Sequence, residues 1–559
     1  MVILKTQSEY GHAPPPQTPY SIITNVPGWD LLKSVREGNT APFAKVVHIY
    51  PRLWPTQHAR TLSQEIAKRV GLADRACLMY LDPVMWKYTA SHVAHKKRRE
   101  NAISANKLTF KVVQVAGHRL YCVLYETQYA RALLRSWGTP GLPVSVREAE
   151  YFLENIDGLV EVPFHDADAP PAPTWTPEGP GHEPLRQLIP DLLRHGAIDP
   201  QKVKCQSKDV FLYPSGMGAV FEAKNILQSY LPGKTNVELG IVFHNTHELL
   251  HEDSAGGWKH FGQVGAKGID IFEDWLEKEA SEGRGVAFAI VEFPGNPSLE
   301  SPDLPRLKNI SEKHSFVLIV DDTIGAFSNV DVFSQSDLLL TSLTKSFNGR
   351  SDVLGGSIVL NPLSSHYNEL SKCFAEGHHN QLFTKDACVL LANSHDFFER
   401  AARLNANGRA MAEFLHNSMT EQPDSPVTFV QYPSLLSSKA NFDAFKRKPT
   451  QEMPNPGYGY LLNVNFESVE TARAFYDRLG FYPSPHIGGH VTIMFAYNMY
   501  MFGRDKEEAK ALRAFDVLEE SVRISAGLED AQDLLDSLQD ALNAAIEVKR
   551  GKKTSQDDE

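Results

Sequence analysis

Three short stretches of this chain carry residues whose types and spacing could do chemistry. The first, "LLLTSLTKSFNG", follows an apolar run with Ser342, Thr344 and Lys345. A lysine beside two hydroxyl groups suits an amine that forms a Schiff base while the hydroxyls hold an anion. The second, "SFVLIVDD", ends a buried run on Asp321, where a carboxylate is costly unless a cation pairs with it. The third, "FLYPSGMG", places Ser215, Gly216, Met217 and Gly218 at a strand-to-helix turn, where backbone N–H groups and the helix dipole attract an anion. Taken singly, each has a commoner structural explanation: a helix cap, a surface aspartate, a lysine reaching to solvent. Together they are the parts that pyridoxal phosphate needs. The helix turn and hydroxyls take the phosphate, the lysine takes the aldehyde, and the aspartate keeps the ring nitrogen protonated.

A fourth stretch points elsewhere. "NTHELLHED" contains His-Glu-x-x-His, with His247 and His251 one helical turn apart and Glu248 beside them, the layout of a zinc hydrolase. Such a match arises cheaply in a chain with 21 histidines. A third ligand is also hard to find, since Glu252 is too close in sequence and His260 follows a Gly-Gly break. The expectation is no metal site.

The elements that must position these residues are legible as alternating apolar runs and helical stretches from about residue 185. "VELGIVF", "GVAFAIVEF", "SFVLIVDD", "DLLLTSLT" and "GGSIVLN" are short and rich in β-branched residues, which predicts a parallel, helix-covered sheet. In such sheets ligands sit at the carboxyl edge of the strands, where Asp321 and Lys345 fall. Upstream, "LTFKVVQVAGHRLYCVLYE" reads as a β-hairpin about an Ala-Gly turn, flanked by helical patterns at Thr56–Leu72 and Thr127–Gly138. Downstream, a mostly helical stretch precedes a mixed region and a final amphipathic helix over Leu528–Lys549. These shifts divide the chain into an N-terminal extension (1–165), a proline-rich linker (166–184), a large domain (185–362), a small C-terminal domain (363–550) and a charged, disordered tail (551–559).

The 559 residues carry 42% hydrophobic and 22% charged side chains and a net charge of -12, which suits a globular protein and argues against nucleic-acid binding. The basic run "AHKKRRE" (Ala94–Glu100) is read as a solvated helix face and "EGHHNQ" (Glu376–Gln381) as a polar loop. Five cysteines without a C-x-x-C pair, no signal peptide and no 18-residue apolar run predict a cytoplasmic protein that neither enters nor spans a membrane.

"SGM", "EFPGNP" (Glu292–Pro297), "VDDT" (Val320–Thr323), "SLTKSFNGRSDVLGG" (Ser342–Gly356) and "VRISAGLED" (Val522–Asp530) resemble the successive motifs of the Cys/Met-metabolism family of pyridoxal-phosphate enzymes. "GHAPPPQTPYSIITNVPGWDLL" and "IYPRLW" are similar to the N-terminal extension of fungal-type cystathionine γ-synthases, so the likeness covers nearly the whole chain. The resemblance implies an aspartate-aminotransferase-like, fold type I α/β large domain, with a smaller α+β C-terminal domain and an α+β N-terminal extension. Lys345 would carry the pyridoxal 5'-phosphate and shuttle protons, and Asp321 would face the ring nitrogen. Gly216, Met217, Ser342 and Thr344 would hold the phosphate, while Asn296 and Thr323 would lie against the cofactor and Arg523 would clamp the substrate α-carboxylate. The implied reaction is γ-substitution on an O-acylhomoserine through a vinylglycine-type intermediate, with cysteine as nucleophile to give cystathionine, in a homodimer or homotetramer acting on small amino acids. Alternatives are a specialised-pathway paralogue that joins a carbon or amine nucleophile to Cγ or, further off, the zinc hydrolase.

Two departures from the family pattern stand out. Phe243 falls where the family has a ring-stacking tyrosine, leaving His244 or His247 to supply a proton-transfer group. The family's Tyr-x-Arg, which reaches the phosphate from a neighbouring subunit, has no counterpart near Glu178–Pro184, where His182 is the nearest polar candidate. The N-terminal extension shows no catalytic constellation.

Overall fold

A computed structural model of the chain describes residues 9–95, 102–502 and 506–557; residues 96–100 of the basic run lie outside the described residues. Three sheets organise it. The first holds β1 (Arg75–Tyr80), β2 (Thr109–Val115), β3 (His118–Glu126) and β4 (Val160–Glu161) in the order β1-β3-β2-β4, all pairs antiparallel. The expected hairpin is β2–β3, and its two turn residues, Ala116 and Gly117, have φ of 50° and 82°, the left-handed conformation that a tight hairpin turn requires.

The second sheet comprises β5 (Val210–Tyr213), β6 (Thr235–Leu239), β7 (Trp258–Phe261), β8 (Val286–Glu292), β9 (Val317–Asp321), β10 (Leu338–Thr341) and β11 (Gly356–Leu360), ordered β5-β11-β10-β9-β8-β6-β7. β8 is buried at all seven positions and β10 at all four, the all-apolar pattern of strands covered on both faces. Strands β6 to β10 run parallel. β11 departs from the expected all-parallel sheet, pairing antiparallel with both β10 and β5. The reason is local: a parallel return needs a crossover helix, and the 342–355 connection contains none.

The third sheet, β12 (Val427–Gln431), β13 (Leu461–Phe466), β14 (Tyr482–Pro483), β15 (Ile493–Phe495) and β16 (Ser521–Ser525), has the order β12-β13-β16-β15-β14. β16 is held on both sides, with Arg523 opposite Asn463 on one neighbour and Phe495 on the other. The last helix runs Ala531–Asp557. It passes through most of the stretch expected to be disordered, where Gly551 alone interrupts helix-compatible residues and no proline stops it.

The N-terminal extension wraps this body. One continuous apolar cluster joins Leu78, Trp86 and Tyr121 of the first sheet's layer to Phe288, Ile319 and Leu340 of the second sheet. Trp29 is buried against Tyr476 with ring centroids 5.7 Å apart, and its N–H donates to Asp477 Oδ1 at 2.8 Å. The Ile22 N–H donates to Ser351 O at 2.9 Å, tying the extension to the loop after Lys345. The proline-rich 166–181 stretch has no helix or strand but is fastened by reciprocal bonds between Thr176 and Asn380. Among the described residues no helix is long and apolar enough to cross a membrane.

Candidate active site

The carboxyl ends of β8, β9 and β10 meet the N-terminus of helix α1 (Gly216–Tyr230) around a cavity. Its wall includes Gly216, Met217, Phe243, Asn296, Asp321, Thr323, Ser342, Lys345 and Arg523, nine of the residues singled out in the sequence. Ser215 caps α1, its Oγ accepting from the Gly218 N–H at 3.0 Å, which leaves the first N–H groups of the helix facing the cavity. A Cβ on Gly216 would lie 2.7 Å from the Ser342 Cβ, so only glycine lets the helix end approach that hydroxyl. Thr323 bridges two strand ends. Its Oγ1 accepts from the Ser342 N–H at 2.8 Å, and its own N–H donates to Asp321 Oδ1 at 2.9 Å.

The electrostatics of the cavity are unusual. Burial raises the Asp321 pKa to about 6, against the lowering pull of the Thr323 hydrogen bonds and the Lys345 charge. Glu292, beside it on β8, is pushed well above the carboxylate range by burial and by Asp321; its Oε1 accepts from the Phe243 N–H at 2.6 Å. Burial lowers the Lys345 pKa, with Arg52 and Arg523 pushing the same way and Tyr50 opposing. Arg523 is 3% exposed. It donates to Asn296 Oδ1 at 3.1 Å and Pro485 O at 2.9 Å, and its guanidinium lies 4.0 Å from the Tyr497 ring centroid. Among the described residues no carboxylate lies within 4 Å of it, and burial lowers its pKa to about 10.

Two cavity residues come from the extension, where no constellation was expected. Lys345 Nζ donates to Tyr50 Oη at 3.2 Å and sits 4.7 Å from that ring's centroid. Arg52 donates to Gly138 O at 2.9 Å and Asn245 Oδ1 at 3.3 Å, and its guanidinium lies 5.5 Å from the Phe243 ring centroid. Tyr50-Pro51-Arg52 thus brings a Tyr-x-Arg sequence into the cavity, although none stands near Glu178–Pro184. The signal was present in "IYPRLW", read only as a mark of the extension. Burial raises the Tyr50 pKa, but the charges of Lys345 and Arg52 outweigh it and bring the phenol to about 8.

Other expectations are corrected. His182 is buried away from the cavity, its Nε2 3.0 Å from Leu382 O. Thr344 does not line the cavity; its hydroxyl donates to Gly355 O at 3.1 Å and accepts from the Gly355 N–H at 3.0 Å. His244 opens helix α2 (His244–Glu252) behind Phe243, which caps it. The His244 Nδ1 is 3.4 Å from Tyr497 Oη, and burial brings its pKa down to about 4, so it is a neutral packing residue outside the cavity wall. His247 turns the opposite way, its Nδ1 2.9 Å from Glu238 Oε1. A residue that the sequence did not flag is His486, 1% exposed, with neither ring nitrogen hydrogen-bonded and its ring 5.9 Å from that of Tyr50.

The donor set fits pyridoxal phosphate. The α1 N-terminus, the Ser342 hydroxyl and Arg52 could hold its phosphate, Phe243 could cover its ring, Asp321 could meet its ring nitrogen, and Lys345 could bind its aldehyde.

Comparison with known proteins agrees. The family model for Cys/Met-metabolism PLP-dependent enzymes matches residues 204–543. The alanine racemase ungC of Aspergillus violaceofuscus is 28% identical, with 96% of each chain covered. The cystathionine gamma-synthase-like enzyme iboG2 of Amanita muscaria is 27% identical, again over 96% of each. Among solved structures, cystathionine gamma synthase from Xanthomonas oryzae pv. oryzae, in complex with aminoacrylate and cysteine, matches with a TM-score of 0.52 at 22% identity. That match covers 66% of this chain and 86% of the other, a likeness of fold.

Proposed function

This chain belongs to the Cys/Met-metabolism family of pyridoxal-phosphate-dependent enzymes, and we propose that it replaces the γ-substituent of an O-acylhomoserine. Cysteine sulfur is the first nucleophile to consider, and a carbon or amine nucleophile is the alternative. The observation that carries the reading is the shared cavity. It gathers a lysine made less basic by burial, a strand-end aspartate, and a buried arginine with no carboxylate partner among the described residues. When bound, pyridoxal phosphate supplies the electron sink that lets an amino acid lose protons from Cα and Cβ and a leaving group from Cγ.

The chain's own groups divide the remaining work. Arg523 orients the substrate by its α-carboxylate, for which its planar fork is suited. Lys345, shifted toward its neutral form, takes up the Cα proton at Nζ. Tyr50, 3.2 Å away and titrating near 8, exchanges protons with that nitrogen. It provides the phenol that position 243 lacks, so Phe243 retains only a covering role. Arg52, Ser342 and the α1 N-terminus hold the phosphate in place and keep the reacting atoms in register. Assembly into a homodimer or homotetramer belongs to this reading, although every group named comes from one chain.

A second reading, racemisation at Cα, draws on the same Tyr50–Lys345 pair, with one group removing the Cα proton and the other delivering a solvent-derived proton to the opposite face, and on the racemase relative. One experiment separates the two. The enzyme is incubated in D2O with O-acetylhomoserine plus cysteine, amine or carbon nucleophiles, and separately with L-alanine. Products are identified by mass and chiral chromatography. Acetate release with a γ-linked adduct is expected; absence of acyl release from any O-acylhomoserine would overturn γ-substitution, and deuterated D-alanine would establish the second reading.

A further inference from the structure

Three polar side chains at the outer edge of the seven-stranded sheet take no part in the active site. Glu238 lies on β6, one residue before its end, and is 1% exposed. His260 is its register partner on β7. His247 reaches the same point from α2. The His247 Nδ1 is 2.9 and 3.0 Å from the two Glu238 oxygens, and the His260 Nε2 is 3.5 Å from Glu238 Oε1. One ligating atom from each residue lies within 4.8 Å of the other two.

Those separations suit a bound ion. Zinc holds nitrogen and oxygen ligands at about 2.0–2.1 Å in a tetrahedron, whose edges are then about 3.3 Å. The carboxylate–imidazole distances fall on either side of that value. Three ligands from three different elements, two imidazoles and one carboxylate, match the borderline-soft cations rather than calcium or magnesium. Glu238 supplies the anchor on β6, a strand paired on both sides, where a buried carboxylate demands a positive partner. Trp258 walls the site, its Nε1 donating to Glu238 Oε2 at 3.3 Å, while both imidazoles remain partly exposed and give an ion a way in. On binding, His260 would exchange its 2.9 Å contact with Gly240 O for the metal.

The His-Glu-x-x-His motif is thereby reassigned rather than revived. The rings of His247 and His251 stand 6.2 Å apart at their centroids, and Glu248 pairs with Arg135 at 2.9 Å. The convergence is of His247 with two strand residues, not with its motif partners.

We infer that Glu238, His247 and His260 form a binding site for a divalent transition-metal ion, with zinc the best match to the ligand set. The ion ties β6, β7 and α2 together directly behind Phe243, the residue that caps α2 and walls the active-site cavity. Water completes the coordination.

The test uses tag-free holoenzyme stripped with EDTA and dialysed. Zinc chloride is titrated against a chromophoric chelator, with elemental analysis for stoichiometry. About one zinc per chain is expected, together with a rise in thermal midpoint on zinc addition and the visible ligand-field bands of a tetrahedral site on cobalt substitution. His260→Gln, at a partly exposed position, should weaken zinc by roughly 100-fold or more, beyond the 10- to 100-fold typical of losing an outer-shell partner. Glu238→Gln should behave likewise, and His251→Gln should bind as wild type. Unchanged circular dichroism and cofactor absorbance of His260→Gln establish that the fold is intact. No stoichiometric zinc at tens of micromolar, wild-type binding by His260→Gln, or loss of binding in His251→Gln each overturns the assignment.

Discussion

Replacing Arg523 with methionine should cripple catalysis while leaving the protein folded, an unusual pairing for a residue only 3% exposed. The reason is that its charge has no anionic partner among the described residues in the free enzyme. Burial lowers its pKa from 12.5 to about 10, and at 1.36 kcal/mol per unit that is a cost of about 3 kcal/mol carried by the folded state. The sign follows from linkage. A group depressed on folding contributes stability only above its unfolded pKa, and that contribution is lost as pH falls through about 10, so near neutrality the charged arginine is a liability. Methionine removes the liability and forfeits two charge-assisted hydrogen bonds, to Asn296 and Pro485, worth about 1.5–3 kcal/mol each. The net change in unfolding free energy should lie between zero and about 3 kcal/mol against the variant, read from urea midpoints at pH 7.5. Activity should move the other way. A two-pronged bond to the substrate carboxylate is worth about 3–5 kcal/mol, or roughly 100- to 5,000-fold in kcat/KM. The decisive assay pairs the variant with the α-carboxamide analogue of O-acetylhomoserine. Wild type should discriminate acid from amide by that factor, and Arg523→Met should treat them alike, the double cycle isolating the contact. A variant destabilised by more than about 3 kcal/mol, or one that still prefers the acid, would overturn this prediction.

Three further outcomes are expected. Tyr50→Phe should slow turnover by about 100-fold or more and erase a limb near pH 8 from the kcat/KM profile, below which the phenol is protonated; a superimposable profile would remove Tyr50 from proton transfer. Arg52→Met should weaken retention of pyridoxal phosphate by about 10- to 100-fold, the worth of a charge-assisted bond of 1.5–3 kcal/mol, seen as faster loss of visible absorbance on dialysis. Asp322→Asn should flatten the dependence of stability on pH. Burial raises this carboxyl from 3.8 to about 7, so the wild type loses up to about 4 kcal/mol as pH climbs from 4 through 7. Asparagine can still accept the Thr341 hydroxyl bond, which is 2.6 Å in the wild type. Equal wild-type-to-variant differences at pH 4.5 and 7.5 would contradict that reading.

What could be read from the sequence, and what could not, divides along a physical line. Asp321, Ser342 and Lys345 were legible because each lies at or within a few residues of the end of an apolar run, and a buried run fixes where its polar terminus must go. Arg523 was legible for the same reason, alternating with apolar neighbours in a strand paired on both sides. Finer placement failed where one or two residues of turn decide direction. Phe243 enters the cavity while His244, its neighbour, starts a helix pointing away; Thr344 spends its hydroxyl on Gly355 although Lys345 next to it faces the site. The antiparallel β11 was hidden because apolar content does not encode strand direction.

Tyr50 and Arg52 were missed for a deeper reason: they reach the cavity through contacts made over hundreds of residues. Their path is set by Trp29 against Tyr476, Ile22 on Ser351, and Arg52 on Gly138, none of which has a local signature. That path also carries a functional consequence. An appendage that merely decorated the catalytic body could be shed with little change at the lysine. Here the extension supplies, among the described residues, the one side chain hydrogen-bonded to Lys345 Nζ and a guanidinium beside the Phe243 ring that lines the cavity. Its removal would leave Lys345 without its phenol and Phe243 without its cation while the sheets that build the pocket remained. The extension thus walls the cavity around Lys345, and on the proposed reading it supplies the phenol that position 243 lacks.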